Sequence, residues 1–446
     1  MRSNIQTMRA GLDIAASWGR LEYSGWQDEN MSWKEDVYLG DWSYLDELRV
    51  TGPDALQLFS DFAVNSFAKF AIGQAKHAIF CNLDGKVIGE GILARWAEDD
   101  FLFNARGPVS TWLEYNFKKG AYKADLSLKI SEFKFQVSGP KSLELLELLT
   151  FESLRDIKFM HFRKATIAGH QVRLLRQGMA GEIGFELQGP GSIAEVIRAA
   201  VLEAGKAFNI RRMGARTAMV NHLEAGFPTV THDYLPAITG ETEREYYEQY
   251  NVEVTDDGSP EWYQSFERCM KVKGSFDGED PSAWFRSPVE LGWTRNVKFD
   301  HDFYGRAALE RETADPKRGI VTLVWNEEDV KDVYDSFFQD GEPYDFMDWP
   351  RGQWFAMYTS TVLEGETIIG STTSRGYSYY FRKVLSHGVL DLAYTEPGTE
   401  VEVLWGDPGH RQKKIRATVH AYPFKQDNRR TELALVGSGT SLPSAK

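Results

Sequence analysis

Two stretches of the chain carry one plan: Leu48-Arg-Val-Thr-Gly-Pro-Asp-Ala-Leu-Gln-Leu-Phe59 and Phe135-Gln-Val-Ser-Gly-Pro-Lys-Ser-Leu-Glu-Leu-Leu146. In each, an alternating run reads as a strand, Gly-Pro as a turn, and the apolar residues that follow fall at helical spacing. Pro53 near the first helical turn suits its fixed φ and missing N–H. Two copies are too few for a solenoid and predict a duplicated α+β architecture.

Outward from these units the pattern continues. Strands are expected over Leu45 to Val50, Ala78 to Asn82, Val87 to Arg95, Asp100 to Ala105, Phe133 to Ser138 and Gln171 to Arg176. Leu83-Asp-Gly85 is a hairpin signal. Helices are expected over Asp54 to Phe62, Pro108 to Phe117, Ser142 to Leu149, Ile193 to Phe208 and Gly214 to Leu223. Residues 239–285 are acidic, polar and aromatic without a clear period and read as an insertion or long loop. From Gly319 short strands alternate with Gly/Pro turns, which predicts a small β-sandwich or barrel after a boundary near 315. The tail from Lys425 is polar and is expected to fray.

Gly178-Met-Ala-Gly-Glu-Ile-Gly-Phe-Glu-Leu-Gln-Gly-Pro190 packs four glycines and a proline into thirteen positions. Such backbone is selected for unusual dihedrals or close approach. Phe185-Glu186-Leu187 reads as a strand that presents Glu186. A strand-borne carboxylate accepts two parallel hydrogen bonds from a flat N–H/NH2 edge, as pterins and guanines have. On the residues alone, a solvated strand residue is the commoner reading of Glu186, and Glu182 reads as a surface charge.

The chain has 446 residues, too many for one core, so two or three domains are expected. A formal net charge of −14 argues against nucleic acid and against an anionic membrane surface. Two cysteines, Cys81 and Cys269, form neither a disulfide framework nor a zinc pattern, which fits a reducing cytoplasm. The N-terminus lacks a signal-peptide apolar region, and no apolar run is long enough to span a membrane. The nine histidines show no metal-ligand spacing, so no metal is expected. Phosphate-loop, zincin and nucleophile-elbow motifs are missing. Gly89-Glu-Gly91-Ile-Leu-Ala94 formally fits a dinucleotide fingerprint but lies in a hairpin strand. His222, on a helical pattern, reads as structural, whereas His232 in a loop beside Asp233 is the better polar-site candidate. Arg106, at a strand end in an acidic protein, reads either as a carboxylate clamp or as a surface ion-pair partner.

Taken in order, Arg49-Val-Thr-Gly-Pro-Asp-Ala, Asn82-Leu-Asp-Gly-Lys-Val-Ile88, Gly184-Phe-Glu186, Gly214-Ala-Arg216, Leu223-Glu-Ala-Gly-Phe-Pro228 and Phe303-Tyr-Gly-Arg-Ala-Ala-Leu309 resemble the glycine-cleavage T-protein family of tetrahydrofolate-dependent enzymes. Gln177-Gly-Met-Ala-Gly181, Leu235-Pro-Ala-Ile238, Lys298-Phe-Asp-His-Asp-Phe303, Gly376-Tyr-Ser-Tyr379, Val403-Leu-Trp-Gly406 and the insertion are similar to its aromatic O-demethylase branch, which acts on vanillate, 3-O-methylgallate, syringate or dicamba. The resemblance implies an α+β cloverleaf of three domains around a central folate cleft. Residues 1–67 with 132–228 and residues 68–131 with 229–315 would form two mixed α/β domains. Residues 316–446 would form a β-sandwich or jelly-roll-like domain.

The resemblance also implies a reaction: a methyl group moves from a methoxybenzoate to tetrahydrofolate N5, with no metal, lipoyl carrier or protein partner. It implies that Glu186 holds the pterin amide edge. Glu90 stands where the T-protein has an aspartate near the folate, and Phe227, Tyr377 and Tyr379 belong to the folate cleft. Arg106 would hold the substrate carboxylate, and Tyr23 and Trp26 would wall the aromatic ring. His232, Tyr44 and His77 are the candidate acids for the departing aryl oxygen. Two positions depart from the vanillate demethylases: Ala218 replaces a functional tyrosine and Tyr44 a histidine. Ala218 offers no phenol contact, which tilts the substrate toward a 2-methoxybenzoate such as dicamba. An aminomethyltransferase of the glycine-cleavage type and a non-catalytic folate-binding regulatory protein are the alternatives.

Overall fold

The computed structural model describes residues 20–129, 131–252, 271–278, 280–350 and 356–436. Cys269 and the stretch 253–270 of the insertion lie outside the described residues. Each of the two repeated units folds as strand, turn and helix: Asp46–Thr51 into Ala55–Phe62, and Glu132–Ser138 into Ser142–Thr150. The shared glycine explains the match. Gly52 has φ 124 and Gly139 has φ 134, a region that favours glycine. A Cβ would lie 2.8 Å from the Lys123 carbonyl oxygen at Gly52 and 2.5 Å from that of Asp36 at Gly139.

The two units sit in different sheets. One six-stranded sheet runs Arg211–Arg212, Tyr38–Asp41, Glu132–Ser138, Gly184–Pro190, His170–Arg176, Phe162–Ile167. Its apolar face, including Val137, Leu174 and Leu187, packs on Leu143, Leu146, Ile197 and Val201 of two helices. The second sheet has five strands in the order Ala75–Cys81, Val87–Ala97, Asp100–Ala105, Asp46–Thr51, Asp125–Leu128. Leu48, Phe59, Phe80, Phe101, Phe103 and Trp112 fill its core. Asp46–Thr51 and its helix therefore do not join the first sheet, as a boundary after residue 67 implied. The chain crosses over between Asp41 and Asp46, because Leu48 and Val50 pair with Phe103 and Phe101 and share their core.

The C-terminal β domain closes into a barrel ordered Arg318–Trp325, Lys383–Asp391, Thr367–Ser378, Ser360–Glu364, Glu400–Trp405, Lys413–His420. This is the barrel alternative of the sequence reading, and closure removes the sheet edges that an open sandwich keeps. A small parallel pair joins Lys271–Lys273 to Ala356–Tyr358.

Three expectations are corrected. The insertion begins with a helix, Arg244–Val252, rather than a loop. It docks through Tyr246, whose hydroxyl lies 2.8 Å from Thr111 Oγ1, and through buried Glu243, which accepts from Trp112 Nε1 and Tyr304 Oη. The tail does not fray over residues 425–436. Lys425 Nζ reaches Glu182 Oε1 at 2.5 Å, Asn428 Nδ2 donates to the same oxygen at 2.7 Å, and Leu433 is buried in the first core. Glu182 is accordingly a buried partner, not a surface charge. No local pattern reveals a cation 243 residues away.

Candidate functional site

A cleft of about 750 Å³, partly open to solvent, lies where the two sheets meet. Strand ends and the segments that leave them supply its walls. Glu186 comes from Gly184–Pro190, Glu90 from Val87–Ala97, and Arg106 follows Asp100–Ala105. Tyr44 and Phe227 complete the predicted residues that line it.

Glu186 is buried, not solvated. Its Oε2 accepts from Gln177 Nε2 at 2.9 Å and its Oε1 from Gln188 Nε2 at 2.6 Å. Burial pushes its carboxyl above the usual range, while Gln188, Lys134 and Gln177 act the other way. Each oxygen keeps a lone pair for a further donor. The glycines before the strand serve close packing: a Cβ at Gly178 would lie 2.1 Å from the Glu182 carbonyl oxygen, and one at Gly184 2.5 Å from Ser138 Oγ.

Glu90 is held from behind by His77, whose Nε2 lies 2.9 Å from Oε2. His77 is thus behind a lining residue rather than on the wall. Burial raises the Tyr44 phenol well above its ordinary value, with Arg106 opposing, which makes Tyr44 a weak proton donor at neutral pH. His232 is buried in the turn 229–233, with its backbone N–H on the Thr229 carbonyl at 3.1 Å, and is not among the lining residues.

Five more predicted residues lie away from this cleft. Ala218 and Tyr23 line a small neighbouring depression with Gly40, Met213 and Ala215. The Arg212 guanidinium covers the Tyr23 ring at 3.9 Å. Trp26 packs edge-on against Tyr377 at 6.1 Å and Tyr379 at 5.7 Å, which joins the helix Trp26–Glu35 to the barrel domain. Tyr377 stacks on Trp349 at 4.3 Å. Trp26, Tyr377 and Tyr379 are not among the cleft-lining residues.

Sequence reasoning missed Trp42, Asn104, Gln177, Met179, Met219 and Thr229, and it set His222 aside as structural. His222 lines the cleft between the rings of Trp42 at 5.8 Å and Phe227 at 5.6 Å, with Nδ1 3.2 Å from Thr229 Oγ1. Asn104 is only 4% exposed, yet neither of its amide atoms has a hydrogen-bond partner. A buried amide left open on a cleft wall is matched by a ligand with complementary donors and acceptors. The signal for Gln177 was its place just before the glycine stretch. Asn104 gave none, because an inward strand position is visible only in register.

Aromatic walls, a buried carboxylate with spare lone pairs, an open amide and a strand-end arginine meet in this one cleft. The family model described as GCVT N-terminal domain matches residues 7–242. A sesamin methylene transferase of Sinomonas sp. strain No.22 is 38% identical over 428 residues, covering 92% of each chain. A syringate O-demethylase of Sphingobium sp. strain SYK-6 is 32% identical, covering 90% of this chain and 89% of the relative. The crystal structure of the glycine cleavage system aminomethyltransferase T from Bartonella henselae superposes with a TM-score of 0.66 over 95% of this chain and 97% of that one, at 20% identity, a likeness of fold. The chain belongs to the GCVT family. It is a tetrahydrofolate-dependent transferase, with tetrahydrofolate as the one-carbon acceptor.

Proposed function

We propose that the protein transfers the methyl group of a methoxybenzoate-type aromatic acid to tetrahydrofolate, releasing a phenol and 5-methyltetrahydrofolate. One observation carries the reading: Glu186, Glu90, Asn104 and Arg106 surround a single cleft walled by Trp42, Tyr44 and Phe227. Tetrahydrofolate supplies N5, whose lone pair takes the carbon and whose proton is released. Glu186, with Asn104 beside it, holds the flat N–H/NH2 edge of the pterin. Arg106 holds the substrate carboxylate and so sets the distance between methyl carbon and acceptor. Glu90 with His77 behind it donates a proton to the departing aryl oxygen, a contribution of about 10²–10⁴-fold. Ala218 lies outside this cleft, so the missing phenol contact there carries no preference for or against a para hydroxyl on the substrate.

Incubation with tetrahydrofolate and a panel of methoxybenzoates is expected to yield 5-methyltetrahydrofolate from at least one of them. A panel without product from any aryl ether would sink the proposal. Transfer of a methylene group from an aryl acetal is the second reading, favoured by the higher identity to the sesamin methylene transferase. Formation of 5,10-methylenetetrahydrofolate instead of the methyl product would select it. Product formed only from an aminomethyl-lipoyl donor would select glycine-cleavage chemistry.

Glu186→Gln is expected to weaken tetrahydrofolate binding by about 1.5–3 kcal/mol, the value of hydrogen bonds to a charged group. Calorimetric titration measures it, with circular dichroism as the check on folding. Affinity equal to that of the parent would remove Glu186 from the pterin site.

A further inference from the structure

Three side chains form a line leading away from the cleft. Glu90 lines the wall, His77 Nε2 lies 2.9 Å from its Oε2, and Asn296 Nδ2 lies 3.1 Å from His77 Nδ1. They come from three elements: Val87–Ala97, Ala75–Cys81 and the turn Thr294–Asn296. An amide nitrogen only donates, so Nδ1 accepts and the ring proton sits on Nε2, facing the carboxylate. Trp293, edge-on at 5.0 Å, and Phe227 at 6.0 Å hold the ring plane. The backbone is pinned too, since the His77 carbonyl accepts from Asn65 Nδ2 at 2.8 Å. Among the described residues, Glu90 is the charged group that contacts the ring, and Glu90 and Arg106 also act on the buried Tyr234 phenol.

We infer that Asn296 is a positioning residue: it selects the His77 tautomer whose Nε2–H holds one oxygen of Glu90 and leaves the other oxygen to carry the proton given to the substrate. The inference rests on the proton-donating role proposed above for that pair. When the aryl C–O bond breaks, the oxygen keeps the electron pair and takes the carboxyl proton of Glu90, and the His77 Nε2–H stays in place to hold the carboxylate that forms. Glu90 is refilled by the proton released at N5 as the C–N bond forms, so atoms and charge balance. An amide nitrogen at Nδ1 leaves that ring nitrogen as the acceptor. An acceptor there would favour a second ring proton and hold the imidazolium.

Asn296→Asp supplies that acceptor. In the pH profile of kcat for whichever methoxybenzoate of the panel is turned over, the falling alkaline limb is expected to move up by at least one pH unit. In a His77→Gln background the same substitution should leave the limb where it was. An unmoved limb in the active single variant, or an equal shift without His77, would overturn the inference. Nitrogen-15 NMR of the imidazole in the unsubstituted protein decides it independently of turnover. Protonated Nε2 and bare Nδ1 at neutral pH are expected, and the opposite tautomer refutes the role of Asn296. If no methoxybenzoate reacts, the proposed reaction falls while the NMR result still decides the tautomer.

Discussion

Lys134→Met is expected to lower folding stability by about 3–5 kcal/mol at pH 7, the usual cost of stranding one member of a buried ion pair. The Lys134 side chain is 0% exposed, and its Nζ lies 2.7 Å from Glu47 Oε1. Lys134 stands in the first sheet and Glu47 in the second, so the pair ties the two sheets together. Glu47 also accepts from Ser131 N, Ser131 Oγ and Glu132 N, each at 2.9 Å. Burial alone would raise its carboxyl; Lys134 and these donors outweigh it and hold the group below the usual range. A depressed carboxyl stabilises the fold above its unfolded value of about 4.3 and loses that contribution as pH falls through the folded value. In the variant the stranded carboxylate takes a proton instead. The difference from the parent is therefore expected to narrow in acid, below about pH 4. Urea unfolding at pH 7 and pH 3.5, followed by tryptophan fluorescence, measures both. A loss under about 1 kcal/mol at pH 7 would mean that the pair behaves as a solvated one. Lys134→Met combined with Glu47→Gln should lose less than Lys134→Met alone, because no charge is then left buried.

The second large effect concerns Arg106. Arg106→Met should raise KM for a methoxybenzoate by about 30- to 1000-fold, the equivalent of about 2–4 kcal/mol for truncating one side of a desolvated charge pair. Methionine keeps most of the stem volume and removes the fork. A neutral aryl ether without the carboxylate is the control, and its kcat/KM should change far less. Equal losses for acid and neutral ether would show that Arg106 shapes the cleft and does not bind the carboxylate. Lysine at the same position should restore charge without the bidentate geometry, and so recover only part of the loss.

Much of the fold was legible because its signals are local. The Gly-Pro units announced strand, turn and helix, since only glycine tolerates the φ of 124 and 134 found at Gly52 and Gly139. Which sheet each unit joins was not legible. Strand pairing depends on partners 50 or more residues away, and Asp46–Thr51 found Asp100–Ala105 rather than the strands of the first sheet. The barrel strand Ser360–Glu364 was also missed, being short and only partly alternating.

The site divides along the same line. Glu186, Glu90, Arg106, Tyr44 and Phe227 were singled out from motifs, and one cleft brings them together. Their chemical types, the glycine-rich approach to Glu186 and the family were determined by the sequence, because each is written in residue identity and order. The tertiary structure alone decided that Glu186 is buried, that Glu182 meets Lys425, that His77 stands behind Glu90 on Asn296, and that Asn104 faces the cleft. Burial and hydrogen bonding between residues distant in the chain arise only when strands take their register, and no window along the sequence contains both partners.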